Sequence, residues 1–241
     1  MAFTKEKGNF KYLSVDSPVK IPSNNVLKFE EKNVEVKSSY DFFKRALDVT
    51  ASSIALTILS PVFLVTTLAI RKDSEGPAMF KQQRIGKNGK LFEIYKFRTM
   101  VPDADKKLFE LLAIDEEAAK EYKINKKLKN DPRITKLGNF LRKTSIDELP
   151  QLINVLKGDM SLVGPRPYLP REKEDMGEYY NTIIESKPGI TGLWQVSGRS
   201  NTTFKERMKF DMEYNENKSF ANDMGLLFKT IGVVVKKDGA E

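Results

Sequence analysis

Two residue types are missing from this sequence, which has no cysteine and no histidine among 241 residues. The absence of cysteine excludes disulfides, thiolate nucleophiles and Cys-ligated zinc. The absence of histidine excludes Ser-His and Cys-His nucleophile systems, the imidazole general base and the common His-rich metal sites. Catalysis by this chain would therefore rest on carboxylates, lysine, arginine, tyrosine, hydroxyls or a hard cation such as Mg²⁺ held by oxygen ligands.

The charge balance is strongly basic, with 41 Lys and Arg against 33 Asp and Glu and a formal net charge of +8. Such a balance indicates anionic partners, which include nucleic acid, anionic lipid and phosphorylated substrates. The length suits one domain with appendages. Residues 1–39 show no sustained period and no signal-peptide pattern, so we expect a loosely ordered N-terminal extension there.

A long apolar run follows, from Ala46 to Ile70, and Asp48 is its single charge. Basic pairs, Lys44-Arg45 and Arg71-Lys72, bound the run. At about 1.5 Å per residue, roughly 25 helical residues would cross a hydrocarbon layer of about 30 Å. The pattern predicts a membrane helix over residues 40–72, with a buried core helix as the alternative.

The Ser60-Pro61 pair lies in the middle of this run. Proline removes an amide donor and clashes with the preceding turn, so we expect a sharp bend at Ser60, whose hydroxyl can satisfy a freed carbonyl. Basic pairs at both ends give the positive-inside rule no direction. A re-entrant hairpin that breaks at Ser60-Pro61 keeps both basic ends on the cytoplasmic side, so it satisfies the positive-inside rule at each end. A kinked spanning helix is the alternative.

The next segment, AMFKQQRIGKNGKLFEIYKFRTM, predicts a β-hairpin that turns at Asn88-Gly89. Phe92, Ile94 and Phe97 would form its apolar face. The charged stretch from Asp103 to Lys129 predicts a helix or a helical pair.

Two further segments are candidates for the membrane surface. The run KINKKLKN would lie on anionic headgroups or be simply solvated. The C-terminal MGLLFKTIGVVVKK is amphipathic in composition and would lie on the headgroups or pack on the core. Together these elements predict an α+β fold that is mainly helical.

The stretch TSIDELPQL sets two acids, Asp147 and Glu148, before a proline and an apolar run. Ser145 and Glu148 fit a capping box; alternatively, Asp147 caps the helix and Pro150 lies in its first turn. In both cases the acids complement the helix dipole. The third interpretation is catalytic, because cations crowd the approach to the acids, namely Arg133, Lys136, Arg142 and Lys143.

Two later segments predict a site for polyanions. In Pro165-Arg166-Pro167, two prolines stiffen the backbone around one guanidinium, which suits bidentate binding of phosphate. The segment KPGITGLWQVSGRS contains Gly189, Gly192 and Gly198 and places Arg199 on a tight loop. Backbone amides of such a loop can approach phosphate closely.

Five ordered stretches carry a family resemblance: KRALDVTASSIALTILSPVF, QQRIGKNGKLFEIYKFRTM, LRKTSIDELPQLINVLKGDMSLVGPRP, KPGITGLWQVSGR and FKERMKFDMEY. From about Asp41 to the C-terminal end, the chain resembles the bacterial sugar transferase family of monotopic polyprenyl-phosphate phosphoglycosyltransferases, in a compact form. The resemblance implies a catalytic domain over residues 73–241, at the cytoplasmic face of a bacterial cell membrane, with interfacial amphipathic helices.

The activity implied by the resemblance is transfer of a sugar 1-phosphate from a UDP-sugar to undecaprenyl phosphate, with release of UMP. This reaction would be the first membrane step of exopolysaccharide, capsule or other glycan synthesis. Asp147 matches the family nucleophile, which forms an aspartyl phosphosugar intermediate, and Glu148 matches the Mg²⁺ ligand. An ionised carboxylate needs no histidine to activate it. Direct attack by the lipid phosphate, with Asp147 only binding metal, is the alternative mechanism.

Further positions match substrate-binding residues of the family, namely Lys96, Arg142, Pro165, Arg166, Pro167, Arg199 and Asp211. The expected partners are the sugar donor, the lipid acceptor and membrane lipid, without nucleic acid and with homo-oligomer formation left open. The rival hypothesis is a membrane-tethered basic module that binds nucleic acid or another anionic polymer without catalysis. Two adjacent acids inside the basic region would repel such a polymer. The sequence does not identify the sugar or the glycan.

Overall fold

The structure is a computed structural model that describes residues 30–197 and 202–236. Ten helices lie in these residues: α1 (Glu30–Asp73), α2 (Ala104–Ile114), α3 (Glu116–Asn125), α4 (Lys136–Lys143), α5 (Gln151–Lys157), α6 (Lys173–Met176), α7 (Tyr180–Ile183), α8 (Leu193–Ser197), α9 (Phe204–Glu216) and α10 (Phe220–Lys236). Four strands accompany them: β1 (Met79–Ile85), β2 (Leu91–Phe97), β3 (Ser161–Val163) and β4 (Gly189–Thr191). The expected fold, mainly helical with small sheets, is confirmed.

Helix α1 contains the apolar run, and the predicted membrane segment lies within it. Over residues 39–73 its most apolar window has a mean hydropathy of 2.1, and only 11% of that window is buried. A core helix would be mostly buried, so this exposure favours a membrane segment over the core alternative. The remaining residues of the predicted N-terminal extension, 1–29, lie outside the described part of the chain.

The proline inside α1 has the local partner that the sequence predicts. Pro61 has no amide hydrogen to donate to Thr57, four residues earlier. The Ser60 hydroxyl donates to the Thr57 carbonyl instead, at 2.9 Å. The helix therefore continues through Pro61 without leaving that carbonyl unsatisfied.

Strands β1 and β2 form the predicted antiparallel hairpin, with Met79 opposite Phe97 and Ile85 opposite Leu91. Asn88, at the turn, has a φ of 57°, a left-handed conformation that asparagine tolerates better than most residues. Ile94 and Phe97 are buried as expected. The expectation of one apolar face is wrong, because Ile94 and Phe97 are three residues apart and point to opposite faces of the strand. Ile94 packs with Val155 and Met160 on the face that also carries Lys96, and Phe97 packs with Ile70 and Leu141.

The second sheet is parallel and short, with Ser161 opposite Gly189 and Val163 opposite Thr191. Its close spacing explains one glycine: a Cβ on Gly189 would lie 2.1 Å from the Gly164 nitrogen, so a side chain has no room. Helices α2 and α3 form the helical pair predicted for the charged stretch.

Candidate active site

The two adjacent acids lie on a single 3₁₀ turn, Ile146–Glu148, between α4 and α5. Ser145 precedes the turn in a left-handed conformation and makes no side-chain cap. Helix α5 begins only at Gln151, after Pro150, and it too has no side-chain cap. Both capping predictions are therefore wrong, because the 3₁₀ turn separates the acids from the helix start.

Glu148 is paired with a lysine from the hairpin. Its Oε1 accepts from the Lys96 Nζ at 2.6 Å, and 37% of its side chain stays exposed. Burial raises the pKa of Glu148, but the charges of Lys96 and Arg166 outweigh that effect, so the net shift is downward. Glu148 is therefore an ionised carboxylate with an accessible side chain.

Asp147 is more buried, with 8% of its surface exposed. Burial raises its pKa to about 6, against the opposing charges of Lys96 and Arg142. Arg142 is oriented by a hydrogen bond from its Nε to the Thr99 hydroxyl, at 3.0 Å. At neutral pH Asp147 is still mostly ionised, and the burial leaves it less well solvated than a surface carboxylate.

Arg166 faces the acids from the loop that follows β3. Its guanidinium lies over the Trp194 ring at 5.7 Å, and that of Arg207 lies 5.6 Å from the same ring. Arg84 holds the loop by donating from Nη1 to the Pro167 carbonyl, at 2.9 Å. The Pro-Arg-Pro segment therefore presents one cation beside the only tryptophan in the sequence.

Asp211 lies behind this loop and is fully buried. Its Oδ2 accepts from the Tyr168 hydroxyl at 2.7 Å and from the Arg166 backbone N–H at 3.2 Å. Burial raises the pKa of Asp211 to about 7. The carboxyl of Asp211 supports Arg166 from behind and is not among the residues that line the cleft, and its direct contact with substrate stays a prediction.

A cleft of about 1290 Å³ brings the predicted residues together. Five of them line it: Lys96, Arg142, Asp147, Glu148 and Arg166. Pro165 and Pro167 do not line it and act through the backbone of the loop. The lining residues that were not predicted as site residues include Arg84, Trp194 and Arg207. For Trp194, the sequence signal was its position inside the glycine-rich segment KPGITGLWQVSGRS.

The glycine-rich segment itself is only partly described. Arg199 and Gly198 lie outside the described residues. The backbone N–H of Gly189 donates to the Pro165 carbonyl at 2.8 Å, and that of Gly164 donates to Thr191 at 2.9 Å. These two amides join the neighbouring loops, so the prediction of phosphate-binding backbone amides is wrong for Gly189.

The site suits a cation that needs few protein ligands. No group of three or more acidic side chains with metal-binding geometry occurs in the described part of the chain. Mg²⁺ is commonly held by one or two carboxylates, with substrate phosphates and water supplying the other ligands. Asp147 and Glu148 fit such a site, because both are acidic residues of the cleft wall and the pKa of Glu148 is lowered.

Comparison with known proteins covers nearly the whole chain. A family model described as bacterial sugar transferase matches residues 39–237. The undecaprenyl-phosphate galactose phosphotransferase of Salmonella typhimurium (strain LT2) is 48% identical over 218 residues, which cover 90% of this chain and 46% of that protein. The exopolysaccharide production protein ExoY of Rhizobium meliloti (strain 1021) is 40% identical over 227 residues, covering 94% and 97%.

A third relative is the UDP-glucose:undecaprenyl-phosphate glucose-1-phosphate transferase of Escherichia coli (strain K12). It is 37% identical over 225 residues, covering 85% of this chain and 44% of that protein. The chain thus spans about half the length of the Salmonella and Escherichia proteins and nearly all of the Rhizobium protein.

Proposed function

The chain belongs to the bacterial sugar transferase family, and from that membership we propose that it transfers a sugar 1-phosphate from a UDP-sugar to undecaprenyl phosphate, releasing UMP. The names of two relatives support the lipid acceptor, and that of the Escherichia protein supports the nucleotide donor. The observation that carries the proposal is the position of Asp147 and Glu148 in one cleft with Lys96, Arg142 and Arg166. We place the reaction at the start of exopolysaccharide or capsule synthesis.

In the proposed reaction Asp147 is the nucleophile. Its carboxylate oxygen bonds to the sugar-bearing phosphorus, the bond from that phosphorus to the UMP oxygen breaks, and UMP leaves. An oxygen of the lipid phosphate then attacks the same phosphorus and breaks its bond to Asp147. Repulsion between a carboxylate and a diphosphate opposes the first step, and the cations Lys96, Arg142 and Arg166 reduce that repulsion.

We propose Mg²⁺ as the cofactor, with Glu148 as its main protein ligand and Asp147 beside it. The ion would supply charge neutralisation on the diphosphate when bound. Lys96 has a second role in this arrangement, because its ion pair with Glu148 fixes the direction of that side chain. Arg166 and Trp194, which line the same cleft, would hold the nucleotide end of the donor.

For membrane association we propose that α1 is a re-entrant hairpin whose predicted break at Ser60-Pro61 is a bend within one continuous helix, and that residues 73–241 lie on the cytoplasmic face. Support comes from contacts at both ends of α1 with the same domain. Near the start, Arg45 donates to the Val155 and Leu156 carbonyls. Near the end, Phe63 packs against Phe97 with ring centroids 5.3 Å apart, and Ile70 is buried with Phe97 and Leu141.

A straight spanning helix would carry its two ends to opposite faces of the membrane, about 30 Å apart. A single domain on one face could not then contact both. Between the contacts, apolar side chains of α1 are exposed, among them Ile54, Ile58, Leu64, Val65 and Leu68. Exposed apolar surface of this extent suits lipid better than water.

We also propose that α10 lies at the interface beside the base of α1. Phe228 and Ile231 of α10 are more than half exposed, and Phe43 of α1 packs edge-on against Phe220. Helices with such an exposed apolar side and basic residues elsewhere bind in the headgroup region. For KINKKLKN the support is weaker, because Lys126 is paired with Asp175 at 2.8 Å and only 17% of its side chain is exposed.

The test is release of UMP by purified protein in detergent or nanodiscs, supplied with undecaprenyl phosphate, Mg²⁺ and a panel of UDP-sugars. We expect release with at least one sugar, dependent on the lipid for continued turnover. The matched control is Asp147→Asn, which keeps the side-chain volume and removes the nucleophilic charge. Salt-sensitive binding of nucleic acid with no UMP release from any donor would overturn the proposal in favour of the non-catalytic basic module.

A further inference from the structure

Asp48, the single charge in the apolar run, makes an unusual set of contacts. The residue is 3% exposed. Its Oδ1 accepts from the Ser161 hydroxyl at 3.1 Å and from the Leu162 backbone N–H at 2.9 Å. A charged group in an apolar helix costs free energy unless it is paired or hydrogen-bonded. Both of these donors belong to β3, so the helix is joined to the strand that leads to Arg166.

Arg45 lies one turn earlier in α1 and donates hydrogen bonds to a different element, helix α5. Its Nη1 donates to the Val155 carbonyl at 2.6 Å, and its Nη2 donates to the Leu156 carbonyl at 2.8 Å. These carbonyls belong to the last turn of α5, where a cation satisfies free acceptors and complements the helix dipole. The opposite end of α5 begins at Gln151, two residues after the 3₁₀ turn of Asp147 and Glu148, which we call the dyad turn.

Arg45 and Asp48 therefore bind the two elements that lead to two groups of cleft residues, Asp147 with Glu148 and Arg166 with Trp194. Helix α5 has seven residues, so a shift at its last turn moves the dyad turn with it. Strand β3 continues into Gly164 and Arg166 and pairs with β4, which leads into Trp194. The Gly164 N–H also donates to Thr191, which ties the two loops together.

We propose that Arg45 and Asp48 are positioning residues. Through them, the part of α1 around residues 45–48 sets the spacing between the dyad turn and the pair formed by Arg166 and Trp194. This inference rests on the proposed function for its kinetic consequences but not for its structural ones. Arg45 acts on Asp147 and Glu148 through α5, and Asp48 acts on Arg166 and Trp194 through β3. The two substitutions should therefore produce different defects.

The kinetic expectation follows from this division. Arg45→Ala displaces the nucleophile, so kcat should fall roughly tenfold or more while KM for the UDP-sugar stays within about twofold. Asp48→Ala displaces Arg166, so KM for the UDP-sugar should rise about fivefold or more with a smaller change in kcat. If both residues served stability alone, both variants would lose active protein and melting temperature without this split.

A spectroscopic readout needs no activity, because Trp194 is the single tryptophan of the chain. Asp48→Ala should change the emission maximum of Trp194 and its quenching by acrylamide, whereas Arg45→Ala should change neither. Asp48→Asn keeps an oxygen that can accept both hydrogen bonds, so it should retain the wild-type emission and KM. Asp41→Ala and Arg71→Ala are the matched controls, since both remove an exposed charge from α1, and both should behave as wild type.

The outcomes separate this inference from the proposed function. Wild-type protein that releases no UMP would overturn the proposed function, and the Trp194 emission would still test the inference. Unchanged emission and KM in Asp48→Ala, or identical defects in Asp48→Asn and Asp48→Ala, would overturn the inference. If Asp48→Ala does not fold, Ser161→Ala removes one of the two donors, and we expect a smaller change in the same direction; an unchanged emission and KM would overturn the inference.

Discussion

Asp147 and Glu148 are adjacent in sequence but differ in environment. Asp147 is buried and its pKa is raised, whereas Glu148 is paired with Lys96 and its pKa is lowered. One acid is therefore a poorly solvated carboxylate suited to attack, and the other is a firmly ionised carboxylate suited to binding a cation. Two similar side chains can thus take two roles because of the groups around them.

The first prediction concerns Asp147→Asn. We expect kcat to fall by about a thousandfold or more, because the amide oxygen is a far weaker nucleophile, while the melting temperature changes little. Intact-mass measurement of wild-type enzyme given the UDP-sugar without lipid should detect the added mass of a phosphosugar, and the variant should show none. A fully active enzyme with no adduct would favour direct attack by the lipid phosphate.

The second prediction concerns the buried Asp211, whose folded pKa is raised to about 7. Between an unfolded pKa near 4 and this value, the unfolded chain has lost the proton that the folded chain keeps. The unfolded state then binds fewer protons, so stability falls as pH rises through this window. Asp211→Asn does not titrate and should lose this dependence.

The measurement for Asp211→Asn is the melting temperature at intervals from pH 4 to pH 8 in one detergent. The melting temperature of the variant relative to wild type should rise with pH. The corresponding change in the relative free energy of unfolding is up to about 1.4 kcal/mol per pH unit inside the window. Glu206→Gln is the control, because Glu206 is solvent-exposed and hydrogen bonds from Thr203 lower its pKa. Its difference from wild type should change only at the acidic end of this range, and in the opposite direction. A flat difference for Asp211→Asn would contradict the raised pKa.

At the scale of elements, α1 is both a candidate membrane anchor and a structural support for the catalytic domain. Its middle exposes apolar side chains, and its two ends contact α5 and β2 of the catalytic domain. The hydroxyl of Ser60 satisfies the Thr57 carbonyl that Pro61 leaves without a donor. This hydrogen bond would allow a proline at membrane depth without an unsatisfied carbonyl in the hydrocarbon.

The third prediction tests the hairpin. The chain has no natural cysteine, so Ser38→Cys and Glu75→Cys each supply a single labelling site at one end of the apolar run. In sealed, right-side-out cells an impermeant maleimide should label neither residue, and in inverted vesicles it should label both. A cysteine on a periplasmic loop of another membrane protein serves as the control for vesicle orientation. Labelling of the two positions from opposite sides would contradict the hairpin.

At the scale of the whole molecule, the net charge is +8, and some of the basic residues line the cleft. Lys96, Arg142 and Arg166 face a site that also contains two acids, so an anionic donor meets both attraction and repulsion. A divalent cation would resolve this conflict where the acids lie. A net positive charge also suits the anionic headgroups that the proposed membrane association would bring close.

The fourth prediction concerns removal of that cation. We expect EDTA to lower UMP release about a hundredfold or more, and excess Mg²⁺ to restore it, because Glu148 and Asp147 would hold the ion and it would neutralise charge on the diphosphate. The melting temperature should stay the same, since the described residues hold no closed metal site that could support the fold. Full turnover in EDTA would exclude a role for the cation.

The sequence alone determined the features that depend on local pattern. The apolar run, the Asn88 hairpin turn and the paired acids among cations all follow from residue order, because periodicity, turn chemistry and charge act over short distances. The ordered motifs also identified the family. The glycines at 164 and 189 were visible as well, although their role in close packing of two loops was not.

Only the tertiary structure decided which of these residues meet. It placed Asp211 behind Arg166 and not in the cleft, and it placed Trp194 beside Arg166 across 28 residues of chain. It also joined Asp48 to Ser161, more than a hundred residues away. Burial and long-range hydrogen bonds depend on how elements pack, and no local pattern specifies the partner that packing brings to a side chain.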